Sequence, residues 1–213
     1  MNDKPLSGRK AQAARNDKLI LEAAREVFVA DPEAPIAEVA KLAGVGISAL
    51  YRRYPSKEDL LRKLCGDGLA RYTELVREAL ESEGDLWGAF REFLRKVVVA
   101  DTPSITVRLA GTFTPTSDMF EAAVAADELN RALLARVKDA GVLREDVENG
   151  DLALVTESVS SISLGDAERT RELRLRALEL YLEALRAPGA GPLPSSAPSE
   201  EEMGARWVPK QAK

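Results

Sequence analysis

The chain has 213 residues, of which 45% are apolar and 31% charged, with a net charge of −5; this length suits one large or two small globular domains. It contains no histidine and a single cysteine, Cys65, which excludes Ser-His-Asp and Cys-His catalysis, histidine and cysteine-cluster metal sites, and internal disulfides. With no apolar run of about 18 residues and no apolar leader, we expect a cytoplasmic protein that is not an enzyme, needs no cofactor and makes no membrane contact.

The charge is unevenly distributed along the chain. Residues 1–65 carry 12 Lys and Arg against 9 Asp and Glu, a net +3, whereas the remaining residues carry a net −8. A surplus of three charges is small by itself. It favours the N-terminal end as the phosphate-binding end of the molecule because three of the cations cluster at residues 52–57.

The first elements in chain order are an arm and a helix. Residues 1–15 lack hydrophobic periodicity and are rich in lysine and arginine, which predicts a flexible basic arm; a merely disordered terminus fits this stretch equally well. A first helix is predicted from about Asp17 to Ala30, where apolar residues recur at helical spacing. Pro32 and Pro35 then break the chain, and proline suits the first turn of the next helix.

Two short helices and a glycine turn follow. Apolar residues at i, i+3, i+4 and i+7 predict a helix over residues 36–43, and Gly44 suits the left-handed position that ends a helix. A second helix is predicted over residues 47–53, with Leu50 and Tyr54 turned toward the core and two arginines exposed. This pattern is typical of a helix-turn-helix, whose second helix fits the major groove of DNA.

This segment resembles the DNA-binding head of the TetR family of bacterial regulators. Heads of that family end in a glycine-valine turn, a leucine-tyrosine pair, an aromatic residue and a lysine that opens the next helix. Here these elements are Gly44-Val45, Leu50-Tyr51, Tyr54 and Lys57. The resemblance covers roughly residues 15–64 and implies a three-helix DNA-binding domain over residues 16–64.

The resemblance also implies two sets of DNA contacts. The residues that match base-facing positions are Ile47, Ser48 and Arg52. The residues that match phosphate-holding positions are Tyr51, Arg53 and Lys57. Arginine can bind guanine in a bidentate manner, serine can donate or accept, and isoleucine can pack on a thymine methyl group. Two alternatives stay open, since Tyr51 also suits a half-buried core position and Arg53 a solvated surface charge.

The rest of the chain is predicted to be helical. A long helix is expected from Lys57 to about Ser82, and further helices continue to Ala187, which gives an all-α protein of about nine helices. By resemblance, residues 65–187 form a helical bundle that binds an effector and dimerises. Residues 188–213 are rich in proline, glycine, serine and acid, which predicts a disordered tail. Trp207 in this tail is interpreted as a stray aromatic, and a small docking element formed with Val208 is the alternative.

Aromatic residues cluster in the first half of this bundle, where the resemblance implies a cavity for a small effector. The candidate ligand-binding residues are Trp87, Phe90, Phe93, Thr112, Phe113 and Phe120. An apolar lining with a few hydroxyl groups predicts an apolar or amphipathic small molecule. For each of these residues an ordinary place in the core is the alternative.

The final two helices are predicted to form a homodimer interface. The last one is apolar over most of its circumference, which is more than one core absorbs. The candidate interface residues are Val155, Val159, Ile162, Leu178, Tyr181, Leu182 and Leu185. A four-helix bundle across a two-fold axis would cover both helices, and a buried intramolecular pair is the alternative.

These observations predict a ligand-responsive transcriptional regulator, by family default a repressor, that binds a palindromic double-stranded DNA operator as a dimer and is released by a small molecule. One alternative is a helical small-molecule carrier without DNA binding, which the basic arm and the arginine-bearing helix disfavour. The other is a DNA-binding factor without an effector, which a body lacking any cavity would favour.

Overall fold

The computed structural model describes residues 8–188 and 191–208, with the side chains of residues 9–11 left out. The part of the chain that it describes contains ten helices and confirms the predicted all-α class with a helix-turn-helix near the N-terminus. The helices are α1 (Gly8–Ala30), α2 (Ile36–Leu42), α3 (Ile47–Arg53), α4 (Lys57–Glu81), α5 (Leu86–Ala100), α6 (Thr102–Leu109), α7 (Ser117–Asp139), α8 (Asn149–Ser160), α9 (Ala167–Leu185) and α10 (Glu200–Ala205). None of these described helices combines the length and the apolar character that crossing a bilayer requires.

The chain divides into two compact units, Met1–Cys65 and Gly66–Lys213, which we call the head and the body. In the head, α1, α2 and α3 pack around Phe28, Val39 and Leu50, which are fully buried. The turn between α2 and α3 depends on Gly44, whose φ of 66° lies in the left-handed region that favours glycine. The N–H of Val45 then donates to the carbonyl of Ala40 at 3.0 Å, which closes the end of α2.

The predicted flexible arm is wrong over residues 8–15, because α1 begins at Gly8 rather than near Asp17. This first part of α1 is rich in alanine, glutamine, lysine and arginine, which are strong helix formers. Gln12 donates to Asn16 at 2.8 Å and Arg15 donates to Gln12 at 2.9 Å, so neighbouring side chains support the exposed turns. Hydrophobic periodicity misses a solvent-exposed helix of this kind. Residues 1–7 of the arm lie outside the described residues.

Helix α5 occupies the centre of the body. Its residues Phe90, Phe93 and Val97 are buried against residues of α4, α7, α8 and α9. The helix begins at Asp85, whose carboxylate accepts from the N–H of Gly88 at 2.9 Å. It ends at Asp101, which adopts the left-handed conformation with a φ of 53°.

Arginine side chains close two helix ends in the body. Arg174 of α9 donates to the carbonyls of Ser160 and Ile162, at 2.7 and 2.9 Å, and binds Asp101 at 2.6 Å. Arg136 of α7 donates to the carbonyls of Leu80 and Ser82 just where α4 ends. Carbonyls in the last turn of a helix have no partner within the helix, so these cations satisfy them. The positive charges also interact favourably with the negative end of the helix dipole.

Most of the predicted dimer-interface residues lie inside one protomer, which corrects that part of the sequence prediction. The residues buried in the core of the body are Val155, Val159, Leu178, Leu182 and Leu185. Ile162 is half-buried, and Tyr181 is 39% exposed. The prediction failed because apolar residues cover most of the circumference of α9, and a sequence does not tell which of them pack on α5 and α8.

The predicted disordered tail is also wrong over its described part, residues 191–208. Ser199 and Glu202 form a capping box that starts α10, since each side chain accepts from the backbone N–H of the other residue. Trp207 packs edge-on against Phe113, with ring centroids 5.9 Å apart, which agrees with the alternative of a docking element rather than a stray aromatic. Composition predicted disorder here because local capping and contacts with distant residues do not show in residue percentages.

Candidate nucleic-acid interface and effector site

Asp17 of α1 joins the first helix of the head to the end of α3. Its carboxylate accepts from Arg53 at 2.7 and 3.1 Å and from the Tyr54 hydroxyl at 2.7 Å. The Arg53 hydrogen bond holds the pKa of Asp17 below its ordinary value, although partial burial opposes this effect. Because the folded-state pKa is lowered, this contact stabilises the head above the ordinary aspartate pKa and is lost as the pH falls through the lowered pKa.

Helix α3 presents one broad face to solvent. Its inner side is fixed by Leu50 and by the following Tyr54, both of which are buried. The outer face carries all three predicted base-facing residues together with the predicted phosphate contact Tyr51. The exposed residues of this face are Ile47 at 40%, Tyr51 at 46%, Ser48 and Arg52. The structure brings these four residues together. Tyr51 keeps about half of its surface exposed, so its contact with phosphate stays a prediction.

The two arginines of α3 differ in their surroundings. Arg53 is bound to Asp17, and its side chain is 57% exposed, so it remains a solvated surface charge, and its contact with phosphate stays a prediction. Asp17 also raises the pKa of Arg53 through their hydrogen bond. Arg52, by contrast, makes no hydrogen bond or ion pair with any residue that the structure describes. Arg52 is thus a cation on the outer face that is available to an external partner.

Lys57 points into the head. Its ammonium donates to the carbonyls of Pro32 and Ala34, at 2.7 and 3.0 Å, and lies 5.1 Å from the centre of the Phe28 ring. These contacts fix the loop between α1 and α2, so the structure supports a positioning role within the head. Binding a phosphate, which stays a prediction for Lys57, requires the ammonium to exchange these carbonyls for the phosphate.

The predicted effector residues fall into separate surroundings in the body. Trp87, Phe90 and Phe93 form a row of rings in the core, with successive centroids 5.8 and 6.4 Å apart. Phe113 is buried beneath Trp207 instead. Thr112 donates to the carbonyl of Leu109 at 2.8 Å, and Phe120 is 49% exposed. Phe90 and Phe93 thus take the alternative of an ordinary place in the core, whereas Phe120 lies at the surface.

A polar pair beside this row was missed by the sequence analysis. The hydroxyl of Tyr72 donates to the side-chain oxygen of Asn130 at 2.9 Å, and the Tyr72 ring packs edge-on against Phe93. Burial raises the pKa of Tyr72 to about 12. The available signal was a lone asparagine among the apolar positions of α7, where Asn130 is buried between Ala126 and Leu133.

A surface groove of about 410 Å³ lies between α4, α5 and α9. Its lining residues are Arg71, Glu92, Arg95, Lys96, Val99, Ala100, Arg171 and Leu175, and none of the predicted effector residues is among them. The cations are already neutralised by neighbouring acids: Arg95 binds Glu179 at 2.7 Å and Lys96 binds Glu78 at 2.8 Å. This groove therefore differs in character from the apolar pocket that the sequence predicts.

Most of the head matches a known protein family. Residues 20–64 match the family described as bacterial regulatory proteins, tetR family. A curated relative, the HTH-type transcriptional repressor LfrR of Mycolicibacterium smegmatis, is 38% identical over 85 residues, which are 39% of this chain and 42% of that protein. The match thus spans less than half the length of that relative.

Solved structures extend the likeness over most of the chain. The TetR transcriptional regulator SCO0520 from Streptomyces coelicolor is 24% identical, with 81% of this chain and 99% of that chain covered and a TM-score of 0.56. The TetR-like regulator LfrR from Mycobacterium smegmatis in complex with proflavine is 22% identical, with 84% and 99% covered and a TM-score of 0.58. At these identities the likeness shows the fold.

Lys57→Met tests the internal role of this lysine. The substitution keeps the length of the side chain but leaves the carbonyls of Pro32 and Ala34 without their donor, so we expect the free energy of unfolding to fall by about 1–3 kcal/mol. Denaturant unfolding followed by circular dichroism measures this change, with Lys41→Met on the exposed side of α2 as the matched control. Unchanged stability, together with a salt slope of DNA binding reduced by about one unit, would instead assign the ammonium to a phosphate.

Proposed function

Because this chain belongs to the TetR family of bacterial transcriptional regulators, we propose that it is a ligand-responsive repressor that binds a palindromic operator as a homodimer. The single observation that carries the proposal is the outer face of α3, where Arg52 stands free beside Ile47, Ser48 and Tyr51. Membership in a family of regulators agrees with the expectation that the chain is not an enzyme. Binding a chromosomal operator requires a cytoplasmic location.

The exposed face of α3 suits the major groove. Base edges there offer paired acceptors on guanine, which an arginine at position 52 matches, and a methyl group on thymine, which an isoleucine at position 47 matches. Tyr51 and Arg53 flank this face and are the proposed phosphate contacts. The Asp17 contact holds Arg53 while half of its side chain stays exposed, so the proposed phosphate contact leaves the head intact. This exposed face favours DNA binding over the alternative of a carrier protein, in which it would have no binding partner.

Repression and release by a small molecule are extended to this chain from its relatives. The curated relative LfrR is named a repressor, and the solved LfrR structure contains proflavine. By linkage, an effector that binds the DNA-free arrangement more tightly than the DNA-bound one lowers operator affinity, and the operator lowers effector affinity by the same factor. We place the effector site in the body.

An exposed apolar stripe on α9 is the proposed dimer surface and replaces the predicted set of residues. Its residues recur at i, i+4, i+7, i+8 and i+11 beside the buried face. Leu180, Tyr181 and Ala184 are exposed, whereas Leu173 and Ala177 are half-buried. Leu180 is 69% exposed, and Leu154 on the neighbouring α8 is 47% exposed. A two-fold axis through this stripe would join identical faces, and a dimer of this kind matches a palindrome whose half-sites lie about 34–36 Å apart.

The operator is found by selecting random DNA duplexes on the immobilised protein, and Arg52→Ala then tests the reading of bases. Loss of a bidentate contact is expected to cost about 1–3 kcal/mol and to remove the preference at particular operator positions. Arg108→Ala, which removes an exposed cation from the body, is the control and leaves the selected sequence unchanged. A uniform loss over all sequences in Arg52→Ala, or no selected sequence at all, would contradict the proposal.

Charged substitutions on the two faces of α9 test the dimer. Leu180→Glu combined with Ala184→Glu places charges only on the exposed stripe, so we expect folded monomers in sedimentation at micromolar concentration. Leu178→Glu is the matched control: it puts the same charge into the core of the body and is expected to unfold it. The stripe would lose its role if the double variant stayed dimeric, or if the unmodified protein sedimented as a monomer.

A further inference from the structure

The C-terminal segment that follows α9 runs back along α7 and α8. It begins beside the loop between these helices, where Arg144 donates to the carbonyl of Gly191 at 2.5 Å and Asp146 accepts from the N–H of Leu193 at 2.8 Å. Further along, Arg131 of α7 binds Glu200 at the start of α10. The segment is therefore attached to the body at several points and does not extend freely into solvent.

Two glycines of the body allow this close approach. Gly150, in the first turn of α8, lies so close to the carbonyl of Pro198 that a Cβ atom at this position would collide with it. Gly111, with a φ of 77°, lies where a Cβ atom would come within 3.0 Å of the Arg206 carbonyl. The two glycines lie at either end of the stretch 198–206 and leave room for its backbone.

An aromatic ring and a positive charge at the end of the segment contact the body. Trp207 packs edge-on against Phe113, which is only 3% exposed, at a centroid distance of 5.9 Å and an interplanar angle of 72°. The adjacent Arg206 forms an ion pair with Glu157 of α8 at 2.8 Å, and the Glu157 side chain is 17% exposed. Removal of the segment would leave a phenyl ring and a carboxylate without these partners.

We propose that Phe113 and Glu157 form a binding site for planar aromatic cations, which the chain's own Arg206-Trp207 pair occupies until such a ligand displaces it. The ring of the ligand replaces the indole on Phe113, and its charge replaces the guanidinium at Glu157. An aromatic contact combined with a charge contact selects for this ligand class, since an anion would meet the carboxylate and an uncharged ring would leave it unpaired. The ligand site itself is argued independently of the proposed function. Only its role as the effector site of a repressor rests on that function.

The contacts of the segment suit a competitor that can be displaced. Exposed ion pairs of the kind that Arg131 and Glu200 form contribute little, and α10 has only six residues. Because the segment is covalently attached, it nevertheless competes at a high effective concentration. A ligand therefore has to overcome an occupied site, and its apparent affinity is lowered by the fraction of time for which the site is covered.

Gly150→Ala releases the segment in the full-length protein, because alanine suits α8 while its Cβ excludes the Pro198 carbonyl. The probes are 10-methylacridinium, which is permanently cationic, and acridine, which has the same three rings and is uncharged at pH 8. Fluorescence anisotropy of each probe measures affinity, and hydrogen exchange of residues 200–205 reports whether α10 is docked. Gly66→Ala, which adds the same methyl group where no atom lies within 4 Å, is the matched control.

We expect Gly150→Ala to bind 10-methylacridinium about tenfold more tightly than the unmodified protein, as for a site that is covered about nine-tenths of the time. Arg206→Gln combined with Trp207→Ala should give a similar gain without any change at Gly150. Glu157→Gln should abolish the preference for 10-methylacridinium over acridine. In the unmodified protein, saturating 10-methylacridinium should speed exchange in α10.

Faster exchange in α10 of Gly150→Ala with unchanged probe affinity would overturn the proposal, as would an absence of probe binding in both released variants. A preference for the cation that survives in Glu157→Gln would overturn it as well. Operator binding by the same proteins separates this proposal from the proposed function. Failure of the probes with operator binding intact overturns only the ligand site, whereas an unmodified protein without any operator preference overturns the repressor.

Discussion

The contact of one carboxylate with the end of one helix determines what the head can present to DNA. Asp17 lies on α1, and its partners Arg53 and Tyr54 lie at the end of α3, so the contact joins the first and third helices directly. With Leu50 buried beneath α3, this contact fixes which face of a seven-residue helix is turned outward. A helix of this length is not stable alone, and its orientation depends on such tertiary contacts.

Elsewhere in the chain, cationic side chains position elements by donating to backbone carbonyls. Lys57 holds the loop before α2, Arg174 closes the end of α8, and Arg136 closes the end of α4. In the body, the two arginines satisfy carbonyls that the ends of α4 and α8 leave without a partner within the helix. The C-terminal segment is attached by one contact of this kind, from Arg144 to the carbonyl of Gly191. Its end is held by the ion pair of Arg206 with Glu157 and by the ring contact of Trp207 with Phe113.

The fold class and the helix-turn-helix could be predicted because short-range rules determine them: a glycine ends α2, and apolar spacing sets its inner face. Three features could not be predicted, for separate physical reasons. The first turns of α1 are exposed and have no apolar periodicity. Apolar residues cover most of the circumference of α9, so Leu178 and Leu180 cannot be assigned to core and surface without the packing. The contacts of Asp17, Lys57 and Trp207 link residues far apart in sequence, and spacing within a motif does not show them.

A double-mutant cycle between Asp17 and Arg53 tests most directly whether their contact prepares α3 for specific binding. The quantity to measure is the ratio of affinity for the selected operator to affinity for random duplex, since changes in phosphate attraction affect both affinities and cancel. We expect Asp17→Asn and Arg53→Gln each to lower this ratio. The ratio for the double variant should be no lower than that of the more impaired single variant, which corresponds to a coupling energy of about 1 kcal/mol or more. Additive losses, or a ratio that neither substitution changes, would contradict the account.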